Sequence, residues 1–210
     1  MSKAKVLDIE HPVIDRYLTI LRDKNSGVRD FRVAMGNIAT ILAYHALSDL
    51  KTSPKTIETP IQETTGYDFG EEVFIIPILR AGLSLQSGIL QFIPDAKVGH
   101  IGVYRDEETH QPVNYYHNLP NGIEDAYTLV IDPMLATGGS AIHTINFLKE
   151  NGAQKICFLC LLAAPEGIEK LQEAHPDVKI ITAAIDDHLN ENAYIVPGLG
   201  DAGDRYFGTT

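Results

Sequence analysis

Residues 127–142 read YTLVIDPMLATGGSAI. An apolar run over 127–131 ends in one carboxylate, Asp132, and a turn of small residues over 136–140 leads into a helical pattern. Ala141, Ile142, Ile145 and Leu148 recur on one helical face, and Gly152 supplies a stop. The run reads as a strand buried on both faces. Asp132 then lies at its carboxyl end, where open parallel α/β sheets bind ligands.

Four more apolar runs carry the same signature: 73–79 (VFIIPIL), 98–103 (VGHIGV), 156–162 (ICFLCLL) and 179–184 (KIITAA). Helical patterns lie between them, among them 165–174 with Ile168 and Leu171. This alternation predicts an α/β fold with a central parallel sheet flanked by helices. Residues 1–51 read as a helical N-terminal segment. Val13, Ile14, Tyr17, Leu18 and Leu21 keep helical spacing behind Pro12, and Phe31, Met35, Ile38, Leu42 and His45 form a second, longer stripe. The stretch TSPKTIETPIQETTGYDFGEE breaks the pattern and predicts irregular structure or short strands. The whole is consistent with a single domain over 1–210.

The order of acid and turn has a chemical reading. Free N–H groups at a helix start attract phosphate. Gly138 and Gly139 permit close approach and unusual dihedrals, while Thr137 and Ser140 add hydroxyl donors. The helix dipole contributes only about 0.3–1 kcal/mol. Each hydrogen bond to a charged group adds roughly 1.5–3 kcal/mol, so the donor cradle dominates. A carboxylate cannot hold the phosphate itself but accepts hydrogen bonds from sugar hydroxyls. Together the two point to a ribose 5-phosphate. On spacing alone, a plain helix N-cap turn beside a surface acid fits equally well.

Composition narrows the classes. Hydrophobic residues make up 44% and charged residues 21%, a globular balance. The net charge of -11 with no basic block disfavours nucleic-acid binding, which depends on neutralising phosphates. No apolar run approaches the roughly 20 residues that span a bilayer, and MSKAKVLDIEHP has no signal-like core, so no membrane association and a cytoplasmic location are the expectation. Cys157 and Cys160 form a single CxxC on a strand, where an i, i+3 pair points to opposite faces; two buried thiols are expected rather than a zinc site. The eight histidines show no metal-binding spacing. Gly198, Gly200 and Gly203 spell G-x-G-x-x-G, but only seven residues follow Gly203, too few for a dinucleotide-binding unit.

The Asp132–Ser140 stretch resembles the phosphoribosyl-diphosphate (PRPP) motif of type I phosphoribosyltransferases. Three further segments, PILRAGLSLQSGIL, YRDEETHQPVNYY and YIVPGLGDAGDRYFGTT, look like uracil phosphoribosyltransferase, in the same order from residue 77 onward. One position departs from the wider class. Many members place two adjacent acids after the strand; here the second is Pro133, so a two-carboxylate ribose clamp does not carry over.

The resemblance implies a type I phosphoribosyltransferase fold with a protruding β-hairpin, flexible over 104–118, and a base-binding C-terminal segment, 192–210. It implies an enzyme of pyrimidine salvage making UMP and pyrophosphate from uracil and PRPP. Asp132, Pro133, Met134, Leu135, Ala136, Thr137, Gly138, Gly139 and Ser140 would bind the ribose 5-phosphate half of PRPP. Arg80 and Arg105 would meet the pyrophosphate. Ile195, Gly200, Asp201 and Ala202 would hold uracil, with Asp201 also facing PRPP. Arg80, Arg105, Asp132 and Asp201 are therefore the expected catalytic group. Magnesium (Mg2+) would arrive chelated by PRPP, with no protein metal cage. The resemblance also implies a homo-oligomer, dimer or tetramer, and, as in some bacterial members, GTP as an effector.

Physical chemistry supports these roles. Fixed cations stabilise the charge that grows on the leaving diphosphate. Forked guanidinium donors suit a diphosphate. A glycine-rich loop exposes N–H and C=O groups that match the edges of uracil; cytosine would reverse one edge and leave buried groups unpaired. Simpler readings stand beside each role: Arg80 as an ion-pair partner, Arg105 as a solvated hairpin charge, 198–203 as a C-terminal turn, and Tyr104, Tyr115 and Tyr116 as ribbon packing. Two other functions compete, a PRPP-fold regulator that binds RNA and a transferase for another base. Arg105→Ala is expected to lower kcat more than it raises the KM for uracil, because the partner charge of that guanidinium grows in the transition state; steady-state kinetics check this, and an unchanged kcat with weaker uracil binding is the contrary result.

Overall fold

The computed structural model describes residues 5–105 and 112–209. They begin with a short strand, β1 (Val6–Asp8), and two helices, α1 (Pro12–Arg22) and α2 (Val28–Ala46). A ribbon of β2 (Thr52–Glu58) and β3 (Glu63–Phe69) leads into β4 (Val73–Leu79), α3 (Leu83–Phe92), β5 (Lys97–Val98), β6 (His100–Arg105) and β7 (Pro112–Asn118). Next come β8 (Tyr127–Ile131), β9 (Met134–Leu135), α4 (Gly139–Glu150), β10 (Lys155–Leu159), β11 (Leu162–Ala163), α5 (Pro165–Ala174), β12 (Lys179–Thr182) and β13 (Ala184–Ile185). A small hairpin, β14 (His188–Leu189) and β15 (Ile195–Val196), precedes the short helix α6 (Ala202–Phe207).

The main sheet runs β1-β12-β10-β8-β4-β6-β7, with β5 beside β4. Every pairing in it is parallel except β6 with β7, which closes one edge as an antiparallel strand. From β4 the chain crosses through α3 to β6 on one side; from β8 it crosses through α4 to β10 on the other. Right-handed crossovers in opposite directions put their helices on opposite faces. The core shows this directly. Val73, Ile75, Leu129, Ile131, Cys157 and Leu159 pack with α1, α2 and α3. Their alternate neighbours Phe74, Ile76, Val130, Ile156 and Phe158 pack with α4 and α5. The two-residue period of a strand thus divides one apolar run between two cores.

Residues 73–79, 127–131 and 165–174 form the elements their patterns predict. Three other runs are interrupted. The 98–103 run breaks at Gly99, whose N–H bonds to Ile75 O. The 156–162 and 179–184 runs each split in two, because the chain changes partners. Leu161 and Leu162 both donate to Pro133 O at 2.9 and 3.0 Å, and β11 leaves the main sheet to pair between β9 and β13. The N-terminal segment holds β1 at the sheet edge as well as its helices. Residues 52–69, read as irregular or short strands, make two seven-residue strands. Pro54 is tolerated in β2 because that strand has a partner on one side only. Both cysteines are free and buried, and they fall in different cores, as opposite-facing positions require. No helix among the described residues is long and apolar enough to cross a membrane.

The head of β8 is tied to α2 by one buried bond: Tyr127 Oη donates to Ala46 O at 2.7 Å. That carbonyl lies in the last turn of α2, where the chain passes into a 3-10 turn over Leu47–Asp49. Tyr127→Phe removes this buried hydrogen bond and is expected to cost about 0.5–1.5 kcal/mol. A urea unfolding curve reads the loss; an unchanged midpoint would show that the carbonyl finds another donor.

Candidate active site

The direction of winding reverses between β4 and β8, which pair with Pro77 opposite Ile131. A crevice opens beyond the carboxyl ends of strands at such a reversal. Arg80 leaves one side of it and Asp132 the other. Asp132 keeps part of its surface open, accepts from Met134 N–H at 3.3 Å, and donates its own N–H to Leu159 O. Burial pushes its carboxyl up to about 7 from an ordinary 3.8; the Met134 amide opposes that rise but does not cancel it.

Two adjoining hollows meet at Asp132. The smaller, about 90 Å³, is lined by Asp132 and Met134 through Ala141. Gly138 takes φ 79° and ψ -9° at the start of α4, a left-handed conformation that glycine adopts without strain. The helical ladder begins with Ile142 N–H to Gly138 O at 2.9 Å, so the amides of Gly139, Ser140 and Ala141 lie ahead of it. No side chain caps this helix start. Gly139 is already helical, so the unusual dihedral expected at both glycines belongs to Gly138 alone.

The larger hollow, about 230 Å³, shares Asp132, Met134 and Ala136 with the first. Its other walls include Ile195, Gly200, Asp201 and Ala202, joined by Ala81, Ala193, Tyr194 and Gly203. Asp201 caps α6 by accepting from Asp204 N–H at 2.8 Å. The 188–196 hairpin that carries Tyr194 and Ile195 is held by Asn190, whose Oδ1 accepts from the Asn192 and Tyr194 amides.

Arg80 lines neither hollow, although its neighbour Ala81 lines the larger. The Arg80 side chain is 65% exposed, 3.8 Å from Asp204 Oδ1 and 5.9 Å above the Phe207 ring. That distance is too long for a hydrogen bond, and an exposed pair binds weakly, so no strong partner holds the guanidinium. The Leu79–Arg80 and Val196–Pro197 peptides are cis. Pro133 turns away from both hollows, its carbonyl engaged by Leu161 and Leu162. The Arg105 side chain and residues 106–111 of the expected hairpin lie outside the described residues.

One supporting residue carries no sequence signal. Gly167, in the first turn of α5, sits so close to the cradle that a Cβ there would lie 2.3 Å from Ala136 O and 2.7 Å from Leu135 O. The helix therefore presses directly on the segment that shapes the smaller hollow. Among the described residues, no group of three or more His, Cys, Asp or Glu side chains is placed to hold a metal ion. Asp132 and Asp201, the two acids of the larger hollow, suit an ion ligated mainly by a substrate's own oxygens.

A mainly parallel sheet flanked by helices, with a crevice at its switch point, is the fold of type I phosphoribosyltransferases. A hypoxanthine phosphoribosyltransferase structure from Staphylococcus aureus shares the fold at a TM-score of 0.52 and 16% identity, covering 74% of each chain. A structure from Aquifex aeolicus superposes at a TM-score of 0.92 with 34% identity, over 98% of this chain and 99% of that one. The family model described as uracil phosphoribosyltransferase matches residues 8–209. The uracil phosphoribosyltransferase of Levilactobacillus brevis is 55% identical over 210 residues, the full length of both chains. That of Salinibacter ruber is 52% identical over 201 residues, 96% of each. The chain belongs to the uracil phosphoribosyltransferase family.

The raised carboxyl of Asp132 has a stability consequence. Between roughly pH 4 and 7 the folded chain holds more protons than the unfolded one, so this group's contribution falls as pH rises and is fully lost above about 7. Asp132→Asn is expected to raise the melting midpoint of the ligand-free protein at pH 8, by roughly 2–4 °C for each kcal/mol relieved, and to weaken PRPP binding. The gain should vanish below about pH 4, where both side chains are neutral; calorimetry across pH reads it, and a lower midpoint at pH 8 is the contrary outcome.

Proposed function

We propose that this chain transfers the phosphoribosyl group of PRPP to N1 of uracil, yielding UMP and pyrophosphate in pyrimidine salvage. The observation that carries the reading is the adjacency of the two hollows, with Asp132 at their shared wall. The smaller hollow, lined by the turn into α4, suits a 5-phosphate. Asp132, about half ionised at neutral pH and more so above it, accepts hydrogen bonds from the ribose hydroxyls between the two hollows. The larger hollow presents the backbone at Gly200 and the side chains of Ile195 and Ala202 to a flat, neutral base. Arg80, free of strong partners, meets the diphosphate; Arg105 is assigned the same role by resemblance.

The division of labour follows from the geometry. The chain holds the sugar between two fixed sites, so C1 faces the base on one side and the leaving group on the other. As the C1–O bond breaks, the guanidinium groups stabilise the charge that moves onto the diphosphate. Asp132 and Asp201 lie near the positive charge growing on the sugar. Magnesium bound to the diphosphate oxygens would add positive charge there, with these two carboxylates and water available as further ligands.

Several finer readings accompany this one. A homo-oligomer is supported by the β2–β3 ribbon, whose Ile57, Ile61, Tyr67 and Phe69 are exposed, Ile61 by 91%. A two-stranded ribbon with that apolar surface is marginal alone and gains from burial against another copy. The cytoplasm is supported by two buried free thiols, which suit a reducing compartment. GTP as an effector rests on the family resemblance.

The test is direct. The protein is incubated with PRPP, magnesium and labelled uracil, cytosine or hypoxanthine in separate reactions. UMP from uracil, with cytosine turned over at least about a hundredfold more slowly, is the expected result. Faster turnover of hypoxanthine, or no UMP, rejects the proposal.

A further inference from the structure

In the loop of residues 197–200, Gly200 lines the larger hollow while the residues before it lie behind, so the placement of the loop is set from behind. Two side chains far apart in sequence do this. Arg22, in the last turn of α1, donates from Nη2 to Asp186 Oδ1 at 2.6 Å and from Nη1 to Asp186 Oδ2 at 2.9 Å. The same Nη1 donates to Gly198 O at 3.0 Å, and Gly198 N–H donates to Asp186 Oδ2 at 2.9 Å. The ion pair and the glycine thus form a closed ring in which both polar groups of Gly198 are engaged. Asp186 is 6% exposed, so water competes poorly at its carboxylate, while the Arg22 side chain, 27% exposed, borders an open hollow behind the loop.

A second arginine extends the grip by one residue. Arg205, on α6, donates to Leu199 O at 2.7 Å, to Asp23 O at 2.7 Å and to Leu21 O, with its guanidinium 4.5 Å above the Phe31 ring. The carbonyls of residues 198 and 199 are therefore both fixed to the end of α1. Gly200, the next residue, lines the larger hollow. Arg22 and Asp186 do not line it, and neither is placed to touch a ligand there.

We propose that the Arg22–Asp186 pair is the positioning unit of the base site: it holds Gly198 so that the main chain at 200–202 meets uracil in register. The proposal rests on the reading of that segment as the base site. A backbone recognition surface has no side-chain freedom with which to correct a displaced carbonyl or amide, so small shifts cost affinity. It also gives α1 a role in binding a ligand that it does not contact.

The test is steady-state kinetics of Arg22→Gln, Asp186→Asn and Arg22→Lys, with thermal midpoints measured in parallel. The first two should raise the KM for uracil about tenfold, equivalent to roughly 1.4 kcal/mol, with kcat at saturating uracil and the KM for PRPP each within about threefold of wild type. Arg22→Lys keeps the charge but cannot fork to Asp186 and Gly198 together, so its uracil KM should fall between. It also decides the matter if the other two fail to fold. A purely structural role would shrink the active fraction, lowering the maximal rate with both KM values unchanged; that pattern, or an equal rise in both, overturns the proposal. Gly200→Ala separates the two readings. If it raises the uracil KM and the Arg22 and Asp186 variants do not, the positioning role alone is wrong. If it too leaves that KM unchanged, the base-site assignment falls and the positioning role with it.

Discussion

The site depends on one pairing. β4 and β8 lie side by side in parallel, with Pro77 opposite Ile131, although the chain winds away from them in opposite directions. No crossover helix covers the gap at their carboxyl ends, so Arg80 and Asp132 emerge into a shared crevice. Apolar burial holds that register. Val73 through Ile76 and Tyr127 through Ile131 are buried on both faces, and a slip of one residue would exchange the two cores. The position of the chemistry is thus enforced by residues that take no part in it.

Around that crevice the molecule favours main chain over side chains as the recognising surface. The cradle before α4 and the loop at Gly200 both offer amides and carbonyls rather than long polar groups. Such surfaces are specific only when rigid, and their stiffness comes from the layer behind. Gly167 lets α5 press against the carbonyl of Ala136. The pressed segment is also bonded in the small sheet of β9, β11 and β13. Asp132 is the exception, a carboxyl held in a setting that disfavours its charge. A sugar's hydroxyls would relieve that cost on binding, which links the discomfort of the empty site to affinity for its occupant.

Much of this was legible in the sequence where periodicity and punctuation act locally. The runs at 73–79 and 127–131 are short, rich in branched and aromatic residues and ended by a charged one, which suits strands buried on both faces. Pro165 marks the start of α5, and Gly152, at φ 98°, follows α4. Legibility fails where a distant partner decides. The 156–162 run is uniformly apolar, and its break at Cys160 and Leu161 is imposed by the carbonyls of Ile181 and Pro133. The β2–β3 ribbon hides because it has no buried face to impose alternation. The site divides in the same way. The Thr137–Ser140 turn announces itself, whereas Arg22 and Asp186, 164 residues apart, look like ordinary surface charges until the fold brings them together. Pro133 belongs to the recognisable motif, yet its carbonyl serves the sheet rather than the hollow.

The distance in sequence between α1 and the segments it grips orders the birth of the molecule. During synthesis, the strand at 127–131, the turn after it and α5 are complete once residue 174 has left the ribosome, so the segment before α4 can assemble early. The loop at 198–200 must wait until Arg205 emerges and closes onto Leu21 and Asp23, the longest loop closure among these contacts. A nascent chain should therefore shape the turn before α4 while the loop at Gly200 is still loose.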